Sequence, residues 1–297
     1  MLSICIPIYN GDIRDTVRRL ASQSAQIAMP VEIVCIDDCS EEPYDQLNRE
    51  IASVATYIRL PQNVGRAKIR NLFLNHTRYD YLLFLDGDSL IPDGFVANYA
   101  QVLCQQPEVV CGGRVYAPES DDREHHLRYI YGVRCECRDA ATRRQSPHRS
   151  FMTNNFIVRK EILRTIPFDE RISRYGHEDT LFGYRLQQRH IPITHIDNPV
   201  INGDVESNAV FLRKTQEGVH SLVAIYEWMG EDEAFSSQVS LLRCYRTVRR
   251  LHLDGIVSGA YRLCRSSLEK TFLRGRHILI PLFSFYKLGL FCRLRRK

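Results

Sequence analysis

The chain contains 297 residues, of which 44% are hydrophobic and 25% are charged, a composition typical of a globular protein with one large domain and an appendage. Its ten cysteines are scattered without a Cys-x-x-Cys pair, which argues against a disulfide framework or a zinc site and favours reduced thiols in a cytosolic protein. The net charge of +5 is uneven: residues 241–297 hold 14 Lys and Arg against 2 Asp and Glu, whereas the preceding 240 residues hold 26 basic and 33 acidic residues. A tail at +12 behind a body at −7 favours an anionic partner, either nucleic acid or the cytoplasmic face of a membrane.

Strands and helices alternate along the first 116 residues. Short apolar runs predict strands at residues 2–8, 31–36, 56–60, 80–85 and 108–116. Helical spacing of apolar residues predicts helices at residues 12–25, 43–53, 65–76 and 93–105. This alternation is typical of an α/β fold with a doubly wound, mostly parallel sheet. The first residues are predicted to be a strand and not a secretory signal, because they lack a basic head and a cleavage site.

Three of the predicted strands end in polar clusters, at Tyr9-Asn10, Asp37-Asp38 and Asp86-Gly-Asp88. In a doubly wound sheet, ligands bind beyond the carboxyl ends of the strands, so these clusters are expected to converge on one site. Asp86 and Asp88 would point the same way if the strand continued, and two carboxylates suit Mg²⁺ or Mn²⁺ beside a phosphate-bearing ligand. For this motif alone, an ordinary Asp-Gly turn is the alternative.

The second half of the chain predicts a loop, a further ordered block and a helical tail. Residues 117–150 are polar and basic and predict a loop or lid around a short helix near residues 123–131, and the ordered block follows at residues 151–215. From about residue 236 the chain is predicted to be helical and amphipathic. Residues 277–292 are apolar but too short for a membrane span of about 20 residues. They predict either an interfacial segment flanked by cations or a helix packed on the sheet.

Six motifs occur along the chain between Leu2 and about Thr215 in the order in which one enzyme family carries them. They are Ile6-Pro-Ile-Tyr-Asn10, Ile36-Asp-Asp-Cys-Ser40, Asn63-Val-Gly-Arg-Ala-Lys-Ile-Arg-Asn71, Leu85-Asp-Gly-Asp-Ser89, Phe151-Met-Thr-Asn-Asn155 and Gly176-His-Glu-Asp179. Through these motifs the chain resembles the family-2 glycosyltransferases of the GT-A fold, which depend on a nucleotide-diphospho-sugar. The resemblance implies a GT-A domain at residues 1–215, with a nucleotide-binding half at 1–116 and an acceptor half at 117–215. A helical, basic extension would follow at residues 216–297.

The resemblance implies which residues contact the nucleotide base. Pro7 and Tyr9 would lie against the base, where the tyrosine ring offers a stacking face, unless Tyr9 is an ordinary core residue. Asp38 would accept a hydrogen bond from the imide N–H of uracil, which a carboxylate does well. Asp37, its neighbour, is expected to cap the next turn instead.

The diphosphate and a divalent cation would bind next to the base. Arg66 and Arg70 are four residues apart on one helix face, so Arg66 is expected to bind beside Arg70. The family pattern places an arginine at Arg70 near the diphosphate, unless the helix is merely a solvated basic one. The resemblance implies that Asp88 ligates Mn²⁺ or Mg²⁺ directly and that Asp86 contacts the ribose or the metal shell.

The third protein ligand of the metal is open. Many relatives carry a histidine where this chain has Asn202. An amide oxygen can ligate Mg²⁺ or Mn²⁺, although less well than imidazole ligates Mn²⁺. His195 and Asp204 lie nearby in the sequence as substitutes.

Two neighbouring carboxylates match the acceptor side of the family pattern. Asp179 corresponds to the catalytic base, which takes the proton of the acceptor hydroxyl as that oxygen attacks the anomeric carbon and inverts it. Glu178 would bind the acceptor or orient the base. The alternative is that both carboxylates only stabilise the start of a helix through its dipole.

Together these residues predict an inverting glycosyltransferase that moves a sugar from a nucleotide-diphospho-sugar, expected to be a UDP-sugar, to a hydroxyl of a glycan or lipid-linked saccharide acceptor. Cell-surface polysaccharide synthesis is the expected setting, and the basic tail predicts a cytoplasmic enzyme in peripheral contact with an anionic membrane, without a nucleic-acid partner. An inactive nucleotide-binding scaffold, motivated by Asn202, is one alternative. A nucleic-acid-binding protein is disfavoured by the acidic body. A nucleotidyltransferase is disfavoured because no glycine-rich basic loop follows the first strand.

Overall fold

The computed structural model describes residues 1–117, 122–172 and 174–296, so part of the expected loop (residues 118–121) and Lys297 lie outside the described residues. The described residues form two structural units. The first contains residues 1–117, 137–172 and 181–204, and the second contains residues 122–136, 174–180 and 205–296.

All ten strands of the described residues belong to the first unit. They are β1 (Leu2–Ile8), β2 (Val31–Asp37), β3 (Thr56–Arg59), β4 (Tyr81–Leu85), β5 (Ser89–Leu90), β6 (Val109–Cys111), β7 (Arg114–Tyr116), β8 (Asn155–Arg159), β9 (Ile193–His195) and β10 (Val200–Asn202). Seven form one sheet in the order β3-β2-β1-β4-β8-β6-β9, in which only β8 runs antiparallel to its neighbours. A second, three-stranded sheet has the order β5-β10-β7. The predicted mostly parallel α/β sheet is therefore confirmed.

One predicted strand is wrong in its extent, because residues 108–116 form two strands in different sheets. The predicted strand is interrupted at Gly112 and Gly113, which connect β6 to β7. A Cβ at Gly112 would lie 2.3 Å from the hydroxyl of Tyr99 and 2.5 Å from the Asn155 amide nitrogen, and Gly113 has a φ of +91°. Both positions therefore require glycine, and the break redirects the chain into the smaller sheet.

Thirteen α-helices lie in the described residues. They are α1 (Arg14–Ser24), α2 (Tyr44–Arg49), α3 (Arg66–His76), α4 (Phe95–Leu103), α5 (His126–Tyr131), α6 (Ala140–Arg144), α7 (Lys160–Thr165), α8 (Glu178–Gln188), α9 (Asn208–Trp228), α10 (Glu233–Gln238), α11 (Ser240–Arg250), α12 (Asp254–Leu273) and α13 (Ile280–Arg295). A 3₁₀ turn (Glu50–Ser53) follows α2, and a π turn (Gly132–Glu136) follows α5.

Helices cover both faces of the large sheet, as expected of a doubly wound fold. Because successive strand side chains point to opposite faces, Leu83 packs on one side of the sheet and Leu82 on the other. The first side holds Val17 of α1 and Phe95 of α4, and the second side holds Phe73 of α3. The sheet is thus buried on both faces, which leaves its strand ends as the place where polar side chains gather.

The second unit is helical, and its last helix contains the apolar stretch at residues 277–292. Within this unit, the Phe283 ring centre lies 5.2 Å from that of Phe272 in α12, and the Tyr286 ring centre lies 5.4 Å from that of Tyr261. These side chains are buried among helices of the second unit, whereas Leu279 in the same stretch is exposed. The expected contact of residues 277–292 with a membrane stays a prediction. Within the described residues, no helix combines the length and hydropathy needed to span a bilayer. The predicted boundary after residue 215 falls inside α9, and the division into domains at that point stays a prediction.

Candidate active site

The carboxyl ends of three neighbouring strands form the candidate donor site of the first unit. Strand β1 pairs in parallel with β2 on one side and with β4 on the other. The Asp38 N–H donates to the Ile8 carbonyl at 2.8 Å, and a Cβ added at Gly87 would lie 3.6 Å from the Pro7 carbonyl oxygen. The structure therefore brings the ends of β1, β2 and β4 together at one edge of the sheet.

Asp38 holds the loop that leads into α3. Its Oδ1 accepts the Val64 N–H at 2.6 Å and its Oδ2 accepts the Gly65 N–H at 2.9 Å. Gly65 has a φ of +84°, which glycine adopts without strain, and α3 begins at the next residue. Each carboxylate oxygen can accept a second hydrogen bond, so Asp38 can fix this loop and still accept an N–H from a base.

The surroundings of Asp37 and Tyr9 decide whether Asp37 caps a turn and whether Tyr9 is a core residue. Asp37 is fully buried and accepts the Ser40 N–H at 2.6 Å and the Tyr57 hydroxyl at 2.8 Å, which confirms that it caps the turn after β2. Tyr9 is 56% exposed, which excludes the core-residue alternative and leaves its ring accessible for stacking. Pro7 is half-buried near the end of β1.

Three arginines surround Asp86. Arg70 is 2% exposed, and its Nη2 lies 3.2 Å from Asp86 Oδ1, while Arg114 Nη2 lies 3.9 Å from Asp86 Oδ2. Burial alone would raise the pKa of Asp86, but the charges of Arg70, Arg66 and Arg114 outweigh it and lower the pKa. Arg66 and Arg114 also act on the neighbouring Asp88, so three cations face two carboxylates, and guanidinium groups suit the oxygens of a diphosphate.

Asp86 and Asp88 flank a tight turn. The Ser89 N–H donates to the Asp86 carbonyl at 3.1 Å, so the Asp-Gly turn is present and carries both carboxylates. The Asp88 side chain is exposed, yet the surrounding protein atoms and then the charge of Asp86 raise its pKa to about 6. A bound cation would relieve this repulsion between two neighbouring carboxylates.

Asn202 lies next to Asp88 through the smaller sheet. In β10 it pairs with Ser89 of β5, and the Gly203 N–H donates to the Asp88 carbonyl at 2.9 Å. The Asn202 amide nitrogen donates to the Asp204 carbonyl at 2.8 Å, which leaves the amide oxygen for a cation. Oxygen donors from Asp86, Asp88 and Asn202 fit the preference of Mg²⁺ or Mn²⁺.

His195 is engaged elsewhere and does not supply a metal ligand. It is fully buried, its Nδ1 lies 3.0 Å from Arg143 Nη1, and its Nε2 lies 3.0 Å from the Pro147 carbonyl oxygen. Because the arginine can only donate, Nδ1 accepts and Nε2 donates, and both ring nitrogens are used. Burial lowers the pKa of His195 to about 4. Among the described residues, no group of three or more His, Cys, Asp or Glu side chains is arranged to hold a metal.

The two candidate catalytic carboxylates lie in the second unit, at the start of α8. Glu178 is buried, and Asp179 is half-buried with its Oδ1 accepting the Thr180 N–H at 2.6 Å. Helix α9 contacts the loop that precedes α8: a Cβ added at Gly176 in this loop would lie 3.2 Å from the Cα of Gly218 in α9, and the φ of Gly176 is +95°. Both glycines therefore allow the loop that carries Asp179 to approach α9 closely.

Sequence reasoning missed Lys287, which lies in α13 and acts on the same loop. Its Nζ lies 3.1 Å from the Tyr131 hydroxyl and 4.7 Å from the centre of that ring. Burial lowers the pKa of His177 to about 4; the charge of Glu178 opposes this effect and the charge of Lys287 adds to it. Arg114 was missed as well, and its only signal in the sequence is the preceding Gly112-Gly113 pair.

Comparisons with known proteins identify the family of this chain and its fold. The family model described as Glycosyl transferase family 2 matches residues 3–167. The uncharacterized glycosyltransferase YfnE of Bacillus subtilis is 24% identical over 280 residues, which cover 74% of this chain and 71% of that protein. An uncharacterized glycosyltransferase of Haemophilus influenzae is 32% identical over 37% of this chain and 36% of its own length. Chondroitin synthase of Escherichia coli is 26% identical over 62% of this chain and 32% of its own length, so the matches span about a third of these two relatives.

Solved structures share the fold over nearly the whole chain. The mannosyltransferase PcManGT from Pyrobaculum calidifontis has a TM-score of 0.55 at 14% identity, covering 99% of this chain and 86% of that one. TarS of S. aureus, residues 1–349, has a TM-score of 0.50 at 17% identity, covering 99% and 91%. These likenesses show that the α/β architecture is the GT-A fold. Since the family model covers more than half of its length, the chain belongs to glycosyltransferase family 2 and is a glycosyltransferase.

Proposed function

We propose that this enzyme transfers a sugar from a UDP-sugar to a hydroxyl of a glycan or lipid-linked acceptor, with inversion of the anomeric carbon, on the cytoplasmic side of the membrane during cell-surface polysaccharide synthesis. One observation carries the donor side of this proposal. The ends of β1, β2 and β4 gather an exposed aromatic ring, a buried carboxylate, an arginine cluster and a carboxylate pair at one edge.

Each group at this edge suits one part of a UDP-sugar. The Tyr9 ring stacks on uracil, and Asp38 accepts the uracil imide N–H. Arg66, Arg70 and Arg114 face the diphosphate. Structures of proteins with the same fold hold related donors, since PcManGT was solved with GDP-Man and Mn²⁺, and TarS with UDP-GlcNAc.

Asp86, Asp88 and Asn202 would hold the divalent cation. When bound, Mg²⁺ or Mn²⁺ neutralises negative charge that builds on the departing nucleotide. The arginines contribute to the same stabilisation, since Arg70 is held in place by its ion pair with Asp86 at 3.2 Å. The presence of three arginines around the two carboxylates Asp86 and Asp88 supports this role.

On the acceptor side, Asp179 takes the proton of the acceptor hydroxyl while that oxygen forms a bond to the anomeric carbon. The bond between this carbon and the diphosphate oxygen breaks, and UDP leaves with the electron pair, so attack from the opposite side inverts the carbon. Glu178 binds the acceptor or orients the base. The half-buried position of Asp179 at a helix start, in a loop supported by α9, favours this role.

A catalytically inactive scaffold is the second candidate function, and the observation that favours it is Asn202 in place of a histidine. Both candidates predict donor binding, and only the first predicts transfer. The two are therefore separated by turnover and not by affinity.

A screen of nucleotide sugars for metal-dependent thermal stabilisation tests the donor, because a ligand that binds the folded state raises its stability by mass action. We expect UDP-sugars with Mn²⁺ to stabilise the protein, and Asp88→Ala to remove the metal dependence. Asp93→Asn, a surface aspartate with a fully exposed side chain, is the matched control and should behave as the parent protein.

Hydrolysis of the stabilising UDP-sugar, followed as UDP release, then tests turnover without knowledge of the acceptor. Asp179→Asn should keep donor binding and lose turnover by about a hundredfold or more. Unchanged turnover in Asp179→Asn would exclude it as the base. Donor binding without turnover in the parent protein, with and without added glycan acceptors, would favour the scaffold.

A further inference from the structure

Helix α12 presents apolar side chains to solvent along one face. Ile256 is 68% exposed and Leu263 is 90% exposed, and the residue preceding the helix, Leu253, is 40% exposed. The spacing of these positions, three and seven residues apart, places them on one helix face. The same face continues through Lys270 and Arg274, both exposed. We call these five residues the α12 face.

No carboxylate of α12 lies on this face. The helix contains two acidic residues, and each is used in an ion pair. Asp254 lies 2.9 Å from Arg296 in the chain segment after α13, and Glu269 lies 2.8 Å from Arg265 and also accepts the Tyr286 hydroxyl at 2.7 Å. The helical spacing turns both away from the α12 face, which therefore carries only apolar, small and basic side chains.

Residues near α12 in the sequence add further exposed apolar side chains and further positive charge. Leu251 at the end of α11 is 57% exposed, and Leu279 just before α13 is 58% exposed. Residues 241–297 carry a net charge of +12, of which Arg246, Arg249 and Arg295 are ion-paired with carboxylates at residues 227–233. Isolated exposed leucines are ordinary on protein surfaces, but several on one face that otherwise bears cations indicate an interfacial helix.

We infer that the α12 face docks the enzyme on the surface of an anionic lipid bilayer. Leu253, Ile256 and Leu263 enter the boundary between headgroups and acyl chains, and Lys270 and Arg274 contact lipid phosphates. This contact is independent of the proposed sugar transfer. It also differs from the contact expected at residues 277–292, where Phe283, Tyr286 and Phe291 are buried inside the second unit.

Other partners fit this surface less well. Nucleic acid would use the cations but would leave Leu263 in water, because its phosphates offer no apolar phase. A second copy of the chain would bring two basic faces together, which like charges oppose. An anionic bilayer satisfies both properties of the face at once.

Co-sedimentation with lipid vesicles tests the inference on the full chain. We expect the parent protein to bind vesicles of phosphatidylcholine mixed with phosphatidylglycerol, and to bind pure phosphatidylcholine vesicles much less. The double variant Ile256→Glu, Leu263→Glu should lose binding by at least about tenfold, since two charges replace the inserted side chains. Lys270→Gln should weaken binding by about fivefold and reduce its salt dependence.

Val54→Glu is the matched control for a new surface charge. Val54 is 46% exposed and lies in the first unit, so this variant should bind vesicles as the parent protein does. Equal vesicle binding by the parent and the Ile256→Glu, Leu263→Glu variant would overturn the inference. Two other results would also overturn it. One is that the double variant loses self-association in the absence of lipid but still binds vesicles, and the other is that it loses binding to single-stranded RNA but still binds vesicles.

Stabilisation by UDP and Mn²⁺ is measured on the same samples. The α12 variants should retain the parent's melting temperature and its response to UDP, which shows that they are folded. A parent protein that binds vesicles but not UDP would count against the proposed donor and leave the docking surface intact.

Discussion

Replacing Asp88 by asparagine is expected to raise the stability of the metal-free protein at neutral pH. Surrounding protein atoms, which displace part of the water near this exposed carboxyl, and the charge of Asp86 raise the pKa of Asp88 to about 6. A carboxyl whose pKa is raised by folding stabilises the folded state only while it is protonated. That contribution is full below the unfolded pKa of about 4 and is lost as the pH rises through about 6. Asparagine has nearly the same shape and no charge, so it avoids the repulsion that Asp88 experiences above pH 6.

The size of the effect follows from the raised pKa and from the exposure of the side chain. A rise from about 4 to about 6 corresponds to at most about 3 kcal/mol. Because the Asp88 side chain is exposed, solvent screening reduces the expected gain to about 1 kcal/mol. For a protein of this size, that gain raises the melting temperature by about 2 °C.

Thermal unfolding of the parent and Asp88→Asn proteins, measured from pH 4 to about pH 8 with a chelator, checks this prediction. The difference should be largest above neutrality and vanish toward pH 4. With Mn²⁺ and UDP the order should reverse, because only the parent gains from metal-assisted binding. Asp93→Asn should show neither effect. A destabilised Asp88→Asn at neutral pH, or a difference independent of pH, would refute the reasoning.

Three further variants test the other groups of the donor edge. Arg70→Gln removes the buried partner of Asp86, and urea unfolding should show a loss of about 3 kcal/mol together with weaker UDP-dependent stabilisation. Asp38→Ala leaves the N–H groups of Val64 and Gly65 without their acceptor. It should lower the free energy of unfolding by about 2 kcal/mol in the same assay and also weaken UDP binding. Tyr9→Leu should change stability by less than about 0.5 kcal/mol but weaken UDP binding, measured by calorimetry, by about tenfold. Equal UDP affinity in Tyr9→Leu would exclude stacking on the base.

Most of the large sheet is predictable from the sequence, because its strands are buried on both faces. Such strands are continuous apolar runs, and the run at residues 80–85 gives β4 to within one residue. The break between β6 and β7 is different. Gly112 must be a glycine because the hydroxyl of Tyr99, thirteen residues earlier, occupies the space of its Cβ. Such a contact between distant positions leaves no periodicity in the sequence.

The donor edge is predictable for the same reason that the sheet is, since parallel strands bring their carboxyl ends together. Asp38 and Asp86 follow strands that the sequence identifies. Arg114 does not follow such a strand. It lies in the smaller sheet, which the chain enters at Gly113, and contacts Asp86 from there. A motif-based reading therefore finds the residues that end strands and misses those that reach the same edge from another sheet.

The tail shows the limit of composition as a guide to surfaces. In the most continuous apolar stretch, residues 277–292, Phe283, Tyr286 and Phe291 are buried among helices, whereas α12 exposes Ile256 and Leu263. Both helices are mixed in composition, and which of their faces is covered depends on α9 and α11, which pack against them. Net charge predicted an anionic partner, but only the packing of the second unit indicates which residues could meet it.

The proposed base lies beyond the part of the chain that the family model matches. That match ends at residue 167, whereas Asp179 follows a loop supported by α9 and influenced by Lys287 of α13. The residues proposed to bind the donor lie in the matched region except Asn202. Because the proposed base lies outside the matched region, we expect acceptor selection to depend on the loop before α8 and on helix α9, which approach each other at Gly176 and Gly218.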